Sequence, residues 1–212
     1  MDITRHNDVI FNMLLWLWQN WGSDRMSKIK FNKLPLVYPL PAVLIGAVVN
    51  DKANFATIGN CGIVSVKPSV VYVSMEKKHY TNKGIIKNQA FSINIPCAGL
   101  AEKVDYCGIV TGNNEDKSQI FDCFFENNDK IPLIKQCPIN MECKVIQTMD
   151  IYDMDVFIAE IVETYVNQDL LTDGFLDTKK LNPLIYCMDN KYWGIGKCIG
   201  NAFNIGKNLN IN

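Results

Sequence analysis

Patterns of apolar and polar residues predict several short β-strands in this chain. Phe91, Ile93 and Ile95 alternate with polar residues, which is the period-two pattern of a strand with one buried face. Pro96 ends this strand, because proline has no amide hydrogen to donate to a neighbouring strand. Similar patterns predict strands at residues 42–49, 53–58, 70–75, 141–145 and 157–165, with weaker candidates at 184–187 and 192–194.

The apolar segments 42–49 and 53–58 predict a β-hairpin. Asn50-Asp51-Lys52 lies between them, and Asn and Asp favour turns because their side chains bond to the local backbone. In the later strand 157–165, Glu160 and Glu163 mark positions that should face solvent.

Two short helices are predicted between the strands. Leu100, Val104 and Cys107 recur at helical spacing until Gly108. The other helix is predicted from Thr81 to Asn88. We expect Thr81 to be its N-cap, with the hydroxyl accepting a hydrogen bond from a free backbone amide.

These elements predict a mainly β fold, a β-barrel decorated by a few short helices. No Gly-x-Gly-x-x-Gly turn follows any predicted strand, which argues against a doubly wound dinucleotide-binding sheet. No internal repeat or low-complexity linker divides the chain. Residues 26–212 are therefore expected to form one domain.

The first 25 residues differ from the rest. Val9–Trp21 is apolar and holds three of the four tryptophans, but it is shorter than the ~20 residues that span a bilayer. No small-x-small cleavage site follows it, as a signal peptide would require. A vector-derived leader or a mistaken upstream start before Met26 is our favoured interpretation, and an amphipathic docking helix is the alternative.

Composition narrows the class of function. The chain has 212 residues, of which 48% are apolar, enough for one domain with a sizeable core. Its formal net charge is −1, so we expect neither a nucleic-acid partner nor binding to a membrane surface.

The cysteines argue against a metal site. Eight of them are scattered without a Cys-x-x-Cys pair, and the only histidines are His6 and His79, whereas metal sites need clustered ligands. We expect most thiols to be small core residues in a reducing cytoplasm. Cys61 and Cys107 have no adjacent histidine that would activate them as nucleophiles.

Thr81 and Lys117 are candidate ligands for a phosphate group. A phosphate monoester carries roughly −1.5 to −2 charges at neutral pH, so it favours hydroxyls, helix-start amides and cations. Thr81 is expected at a helix start, and Lys117 follows the polar segment Gly112-Asn113-Asn114. Each residue alone has a plainer interpretation, since Thr commonly caps helices and a loop Lys is usually solvated.

A family resemblance joins these observations. The segment 88–119, NQAFSINIPCAGLAEKVDYCGIVTGNNEDKSQ, together with KKHYTNKGI before it, resembles the flavoredoxin branch of the flavin reductase-like proteins. The similarity runs from about Leu36 to Lys207 and includes VDYCG, NMECK and YWGIGKCIGNAFNIGK. It implies a split β-barrel that binds FMN.

The resemblance also implies which residues bind FMN. Asn54, Ala56 and Thr57 match the cofactor-binding strand of the family. Thr81 matches a threonine that opens a helix, and Lys117 matches the lysine of an Asp-Lys pair. Backbone amides near residues 56–59 are expected to stabilise negative charge on the reduced flavin ring.

Three positions depart from the family pattern. Asn60 stands where an aromatic residue often lies near the isoalloxazine ring, and Leu184 stands where Phe usually makes an apolar contact. Met154 replaces a histidine near the phosphate, and His79 is placed to supply a substitute donor. The expected FMN contacts are Asn54, Ala56, Thr57, Asn60, Cys61, Thr81, Lys117 and Leu184.

The function implied by the resemblance is redox chemistry through bound FMN, which the protein positions and tunes. We expect an NAD(P)H-dependent oxidoreductase that passes reducing equivalents to an acceptor and needs no catalytic side chain. A non-catalytic FMN electron-transfer protein, reduced by a partner protein, is the alternative. A barrel that has lost its cofactor and serves as a binding domain is a third possibility. The resemblance further implies a homodimer in the cytoplasm.

Overall fold

The computed structural model describes residues 28–209 of the chain. The predicted leader, residues 1–25, lies outside the described residues. The chain divides into two units between Leu36 and Val37, and residues 28–36 of the first unit contain no helix or strand. No helix within residues 28–209 is long and apolar enough to cross a membrane.

The second unit is built mainly from β-strands. They are β1 (Leu40–Pro41), β2 (Val43–Val49), β3 (Lys52–Ile58), β4 (Cys61–Ser65), β5 (Val70–Glu76), β6 (Ala90–Ile95), β7 (Cys123–Phe124), β8 (Leu133–Ile134), β9 (Ile139–Ile151), β10 (Met154–Val166), β11 (Leu171–Thr172), β12 (Phe175–Leu176), β13 (Ile185–Cys187) and β14 (Lys191–Trp193). The helices are α1 (Tyr80–Asn88), α2 (Ala101–Ile109) and α3 (Thr178–Leu181), with short 3-10 turns at Ala98–Leu100, Gln168–Leu170 and Ile205–Asn208.

Seven antiparallel strands form one sheet in the order β3-β2-β6-β9-β10-β5-β4. Its two edge strands, β3 and β4, are consecutive in the sequence and are joined by Gly59 and Asn60 alone. Because this linker holds the two edges together at one end, the sheet has to curl into a barrel that is split between them. The mainly β, split-barrel fold expected from the sequence is confirmed.

The hairpin predicted around Asn50 and Asp51 is β2–β3. Both residues have a positive φ, 50° and 61°, as the two central positions of a type I′ turn require. Asn and Asp tolerate this left-handed conformation better than most residues. Val49 pairs directly with Lys52 across the turn, so local turn chemistry sets the register of the pair.

Side chains from alternate positions of six strands fill the barrel interior. This cluster comprises Val43, Ile45 and Ala47 of β2, Ala56 and Ile58 of β3, Val71, Val73 and Met75 of β5, Phe91 and Ile93 of β6, Cys143 and Val145 of β9, and Phe157 and Ala159 of β10, closed by Ile85 of α1. The apolar side chains of the period-two pattern therefore point into the barrel, as expected for this architecture.

A second apolar cluster covers the outer face of β2 and β3. Leu44 and Phe55 contact Val104 and Cys107 of α2 in this cluster, which Phe121, Ile134, Cys137 and Leu184 extend. Both faces of β2 are thus buried, which explains why its sequence is an unbroken apolar run rather than an alternation.

Some strands differ in extent from their prediction. β9 and β10 are each 13 residues long and are longer than predicted. They remain paired beyond the positions whose side chains face the core, up to the turn that joins them. Glu160 and Glu163 are exposed, as predicted. β4 was not predicted, and the weak candidates near residues 185 and 192 pair with each other and with β1 in a separate three-stranded sheet.

The predicted N-cap of α1 is wrong. His79 is the N-cap residue, and it makes no side-chain capping hydrogen bond. Thr81 lies inside the first turn, where its hydroxyl accepts a hydrogen bond from Asn54 Nδ2 at 2.7 Å. Asn54, whose side chain occupies the Thr81 hydroxyl oxygen, belongs to β3. The residues near the helix in the sequence could therefore not reveal this contact. The helix predicted up to Gly108 forms as α2.

Gly84 lets α1 lie directly against β2. A Cβ atom at this position would come within 2.6 Å of the Val48 carbonyl oxygen and 2.9 Å of Val49 Cγ2. Both atoms belong to a buried strand, so they cannot move away easily. Glycine at position 84 is therefore required for the close approach that positions the start of the helix.

Gly84→Ala should lower the free energy of unfolding by about 1–3 kcal/mol, the usual cost of overpacking. This loss outweighs the gain of ~1 kcal/mol in helix propensity that Ala brings. Gly99→Ala is the matched control, because a Cβ there would meet only Cys97 Sγ, at 3.7 Å. Denaturant unfolding measures both variants, and equal stability of the two would contradict the packing role of Gly84.

Candidate functional site: two cavities along the edge of β3

A cavity of about 460 Å³ lies where β3, the start of α1 and the loop after α2 meet. Asn54 and Ala56 line it from β3, Thr81 lines it from α1, and Lys117 lines it from the loop. Thr81 and Lys117 are 36 positions apart in the sequence. The fold thus brings the two residues proposed as phosphate ligands to the same cavity.

Lys117 is a buried cation. The residue is only 3% exposed, and Nζ donates hydrogen bonds to the Phe55 carbonyl at 2.9 Å and the Cys107 carbonyl at 2.8 Å. No carboxylate pairs with it within residues 28–209. Burial lowers the pKa of this ammonium, because the charged form loses hydration. A third ammonium hydrogen is left for an anion in the cavity.

Thr81 offers a second donor. Its Oγ1 accepts from Asn54 Nδ2, so the hydroxyl hydrogen takes part in no hydrogen bond among the described residues. The first turn of α1 supplies further donors, because no side chain caps its backbone amides and it holds no acidic residue. Free amides at a helix start carry partial positive charge. Thr81, the helix start and Lys117 therefore present donors to one small volume.

The loop that carries Lys117 is tied to the barrel. Asp116 accepts a hydrogen bond from Lys52 Nζ at 2.6 Å, and this contact, with the bond from Ser118 N, holds the pKa of Asp116 well below its usual range. Lys83 Nζ donates to Asn113 Oδ1 at 3.0 Å. Gly112 allows the close approach, since a Cβ there would overlap Asn54 and Tyr80.

A second cavity, of about 390 Å³, adjoins the first. The two share Gly108 and Ile109 as a common wall. Thr57 lines the second cavity and donates its hydroxyl hydrogen to the Val104 carbonyl. Together the two cavities follow the unpaired edge of β3. They run from the hydrogen-bond donors Thr81 and Lys117 towards Gly59 in the β3–β4 linker.

The polar side chains that line the second cavity are Thr57, Asp105, Tyr186, Asn190 and Tyr192. Tyr192 Oη donates to Asp105 Oδ1 at 3.1 Å, and Tyr186 Oη donates to Asn190 Oδ1 at 2.7 Å. Burial and the neighbouring Asp105 raise the pKa of Tyr192 to about 12. The Tyr192 phenol is therefore protonated at physiological pH.

Three predicted contacts lie elsewhere. Asn60 is exposed in the β3–β4 linker, and its carbonyl accepts a hydrogen bond from Ser74 N. Cys61 packs against the barrel core, and Leu184 is buried in the outer cluster. None of the three lines either of the two cavities described above. Their predicted contact with a flavin stays a prediction.

Several lining residues were not predicted. Tyr80, Asp105, Tyr186 and Tyr192 line one cavity or the other, and in the sequence they have the appearance of ordinary packing residues. His79, proposed as a substitute donor, does lie on the wall of the first cavity. Its Nδ1 is 3.0 Å from the Glu76 carbonyl oxygen, so the opposite ring nitrogen is the one free to face a ligand.

The thiols near the site are not activated. Cys107 lines the first cavity, and burial raises the pKa of its thiol to about 11 although Lys117 acts in the opposite direction. Burial likewise raises the pKa of Cys61 to about 12. Both thiols are protonated at neutral pH, so they act as wall and core groups and not as nucleophiles.

Comparisons with known proteins bear on this arrangement. The crystal structure of flavoredoxin from Methanosarcina acetivorans is 40% identical, covers 85% of this chain and 98% of its own, and superposes with a TM-score of 0.83. Flavoredoxin of Desulfovibrio vulgaris (Miyazaki F) is 30% identical over 85% of this chain and 100% of its own, with a TM-score of 0.78.

A relative known from sequence is more distant. An uncharacterized protein of Archaeoglobus fulgidus is 28% identical over 145 residues, which are 68% of this chain and 81% of the relative. Residues 36–194 match the family model described as flavin reductase like domain, and this span includes β1 to β14 and both cavities. The chain therefore belongs to the flavin reductase-like family.

Proposed function

We propose that this chain binds FMN and works as a flavin-dependent oxidoreductase. The observation that carries the proposal is Lys117, a buried ammonium that faces a cavity without a carboxylate partner among the described residues. Family membership and the two flavoredoxin relatives support a redox function with bound flavin.

The donor set of the first cavity suits the phosphate of FMN. A phosphate monoester has several strong acceptor oxygens and nearly two negative charges. Lys117 supplies one charged donor, Thr81 one hydroxyl donor, and the start of α1 supplies free amides. A hydrogen bond to a charged group is stronger than one between neutral groups, so Lys117 should contribute most of the affinity for the phosphate.

The second cavity suits the flavin ring. It lies across Gly108 and Ile109 from the phosphate donors, and its polar lining consists of Thr57, Asp105, Tyr186, Asn190 and Tyr192. The edge of β3 passes along it, and we propose that backbone amides of residues 56–59 stabilise negative charge on the reduced ring. When bound, FMN would supply the hydride and electron chemistry. The protein would orient the ring and restrict the access of water to it.

NAD(P)H is the electron donor that we propose, because solved structures with a similar fold include the flavin reductase PheA2 and an NADH:FAD oxidoreductase of Streptomyces globisporus. The electron-transfer alternative is also supported, since the two relatives described above are both flavoredoxins. All eight cysteines of this chain are free thiols. Free thiols are typical of proteins in a reducing compartment, so we propose that the protein works in the cytoplasm.

Lys117→Met should weaken FMN binding about 10- to 100-fold, because a charge-assisted hydrogen bond contributes roughly 1.5–3 kcal/mol. Thr81→Val should lower the affinity less, since it removes a neutral donor. Lys87→Met is the matched control, as this exposed lysine lies at the far end of α1. Flavin fluorescence titration measures the dissociation constants, and circular dichroism checks folding. Unchanged affinity in both site variants would show that the phosphate binds elsewhere.

FMN affinity should also depend on pH through Lys117. The protonated ammonium binds the phosphate, so affinity is retained below the pKa of Lys117 and falls as the pH rises through it. Because burial lowers that pKa, the fall should begin below the ordinary lysine value of about 10.4. Titrations between pH 7 and pH 10 test this. Lys117→Met should lack the fall, and a flat wild-type profile would contradict the assignment.

Anaerobic addition of NADH or NADPH should bleach the visible absorbance of the FMN-loaded protein faster than that of free FMN. Stopped-flow absorbance with each nucleotide measures the rate and the preference. If neither nucleotide bleaches the flavin while dithionite does, the electron-transfer alternative is correct. Protein that cannot be loaded with FMN would favour the third possibility, a barrel without cofactor.

A further inference from the structure

Another cavity, of about 280 Å³, lies on the outer face of the sheet, across β6, β9 and β10. The end of α1 and the loop between β7 and β8 form its other walls. It shares no lining residue with the two cavities proposed to hold the flavin. The side chains around it are called here the β9 cavity, and the flavin chemistry makes no use of them.

Glu142 brings a buried carboxylate to the β9 cavity. The residue is 1% exposed, and its oxygens accept hydrogen bonds from Asn127 N at 3.2 Å and Asn127 Nδ2 at 2.8 Å. No lysine or arginine forms a salt bridge with it among residues 28–209. A carboxylate has about four acceptor positions, and burying its charge is costly without a cationic partner. Glu142 therefore has both the spare acceptors and the charge to bind a cation.

Amide oxygens beside Glu142 add further acceptors. Asn88 and Gln89 line the cavity and donate amide hydrogens to main-chain carbonyls, at 2.9 and 2.7 Å. Asn127 Nδ2 donates both to the carboxylate and to a tyrosine hydroxyl. The side-chain oxygens of all three amides accept no hydrogen bond from the described part of the chain. An ammonium has three N–H donors and no acceptor, so this set of oxygens suits an ammonium group.

Lys144 brings the opposite charge to the same cavity. It lies two residues after Glu142 on β9, so both side chains project from one face of the strand, about 6.6 Å apart along it. Lys144 is exposed and forms no salt bridge within residues 28–209. The two groups do not neutralise each other, and the cavity presents a separate anion and cation to a ligand.

The rest of the lining is apolar. Ala90 and Ile131 are buried, at 4% and 3% exposed, and Val162 stands opposite them with a partly exposed side chain. Ligand cavities for drug-sized molecules occupy roughly 300–1,000 Å³, so a cavity of 280 Å³ admits only a smaller molecule. Such a wall suits a short hydrocarbon chain.

One class of small molecule carries all three features. We propose that the β9 cavity binds a free aliphatic α-amino acid. Glu142 and the amide oxygens hold its ammonium, Lys144 holds its carboxylate, and Ala90, Ile131 and Val162 contact its side chain. The proposal goes beyond the flavin chemistry and does not rest on it.

Heteronuclear NMR of the full chain with L-leucine tests the proposal. Amide signals of residues 88–90, 127–131 and 142–144 should shift on titration, and those of residues 105–117 should not. Isopentylamine lacks only the carboxylate of leucine, and isocaproate lacks only the ammonium. Each should bind at least about 10-fold more weakly than leucine, because each loses a charge-assisted hydrogen bond.

Lys144→Met separates the two ends of the ligand. It should weaken leucine binding about 10-fold but leave the binding of isopentylamine unchanged, since the amine does not use Lys144. Lys67→Met is the matched control, an exposed lysine in the β4–β5 loop outside the cavity, and it should bind leucine as the wild type does. Glu142→Gln should abolish the binding of both ligands. Because Glu142 is buried, circular dichroism checks the fold of that variant, and the surface variant Lys144→Met keeps the test decisive.

Three results would overturn the proposal: no shift with leucine, isopentylamine that binds as tightly as leucine, or Lys144→Met that binds leucine as the wild type does. FMN titrations are run on the same samples. Loss of FMN binding with leucine binding intact would count against the flavin assignment alone, so the two proposals can fail separately.

Discussion

The hydrogen bonds of Lys117 to two backbone carbonyls are the constraint on which the site depends. They join β3, at Phe55, to α2, at Cys107, so one side chain fixes the loop after α2 against the edge of β3 beside the first cavity. Burying an ammonium without a carboxylate is unfavourable unless other groups compensate. The two carbonyls offset part of this cost, and the uncompensated positive charge of Lys117 is the feature on which the proposed phosphate site rests.

The barrel explains why this site lies where it does. Its two edges, β3 and β4, meet at Gly59 and Asn60 and do not pair, so backbone groups at the split stay free for a ligand. The interior is filled by apolar side chains, which leaves no room for a cofactor inside. Both cavities therefore lie along the outer edge of β3, where α1 and α2 add donors and walls.

Much of the fold follows from local pattern. The turn at Asn50 and Asp51, the inward alternation of Phe91 and Ile93, and the helix that carries Cys107 are all predictable from neighbouring residues. Predictions failed where a distant group competes. Thr81 is not a cap because Asn54 occupies its hydroxyl. β4 is short and its apolar residues face solvent, so its sequence lacks the buried face by which strands are recognised.

The sequence by itself determined the core strands, the two longer helices, the family and the choice of Thr81 and Lys117 as candidate phosphate ligands, since these depend on short-range spacing and on matching motifs. Tertiary structure alone decided that Lys117 is buried, that its partners are carbonyls 62 and 10 residues away, and that Tyr186 and Tyr192 line a cavity beside Thr57. Burial and long-range hydrogen bonds arise from how whole elements pack, and no local window of residues contains that information.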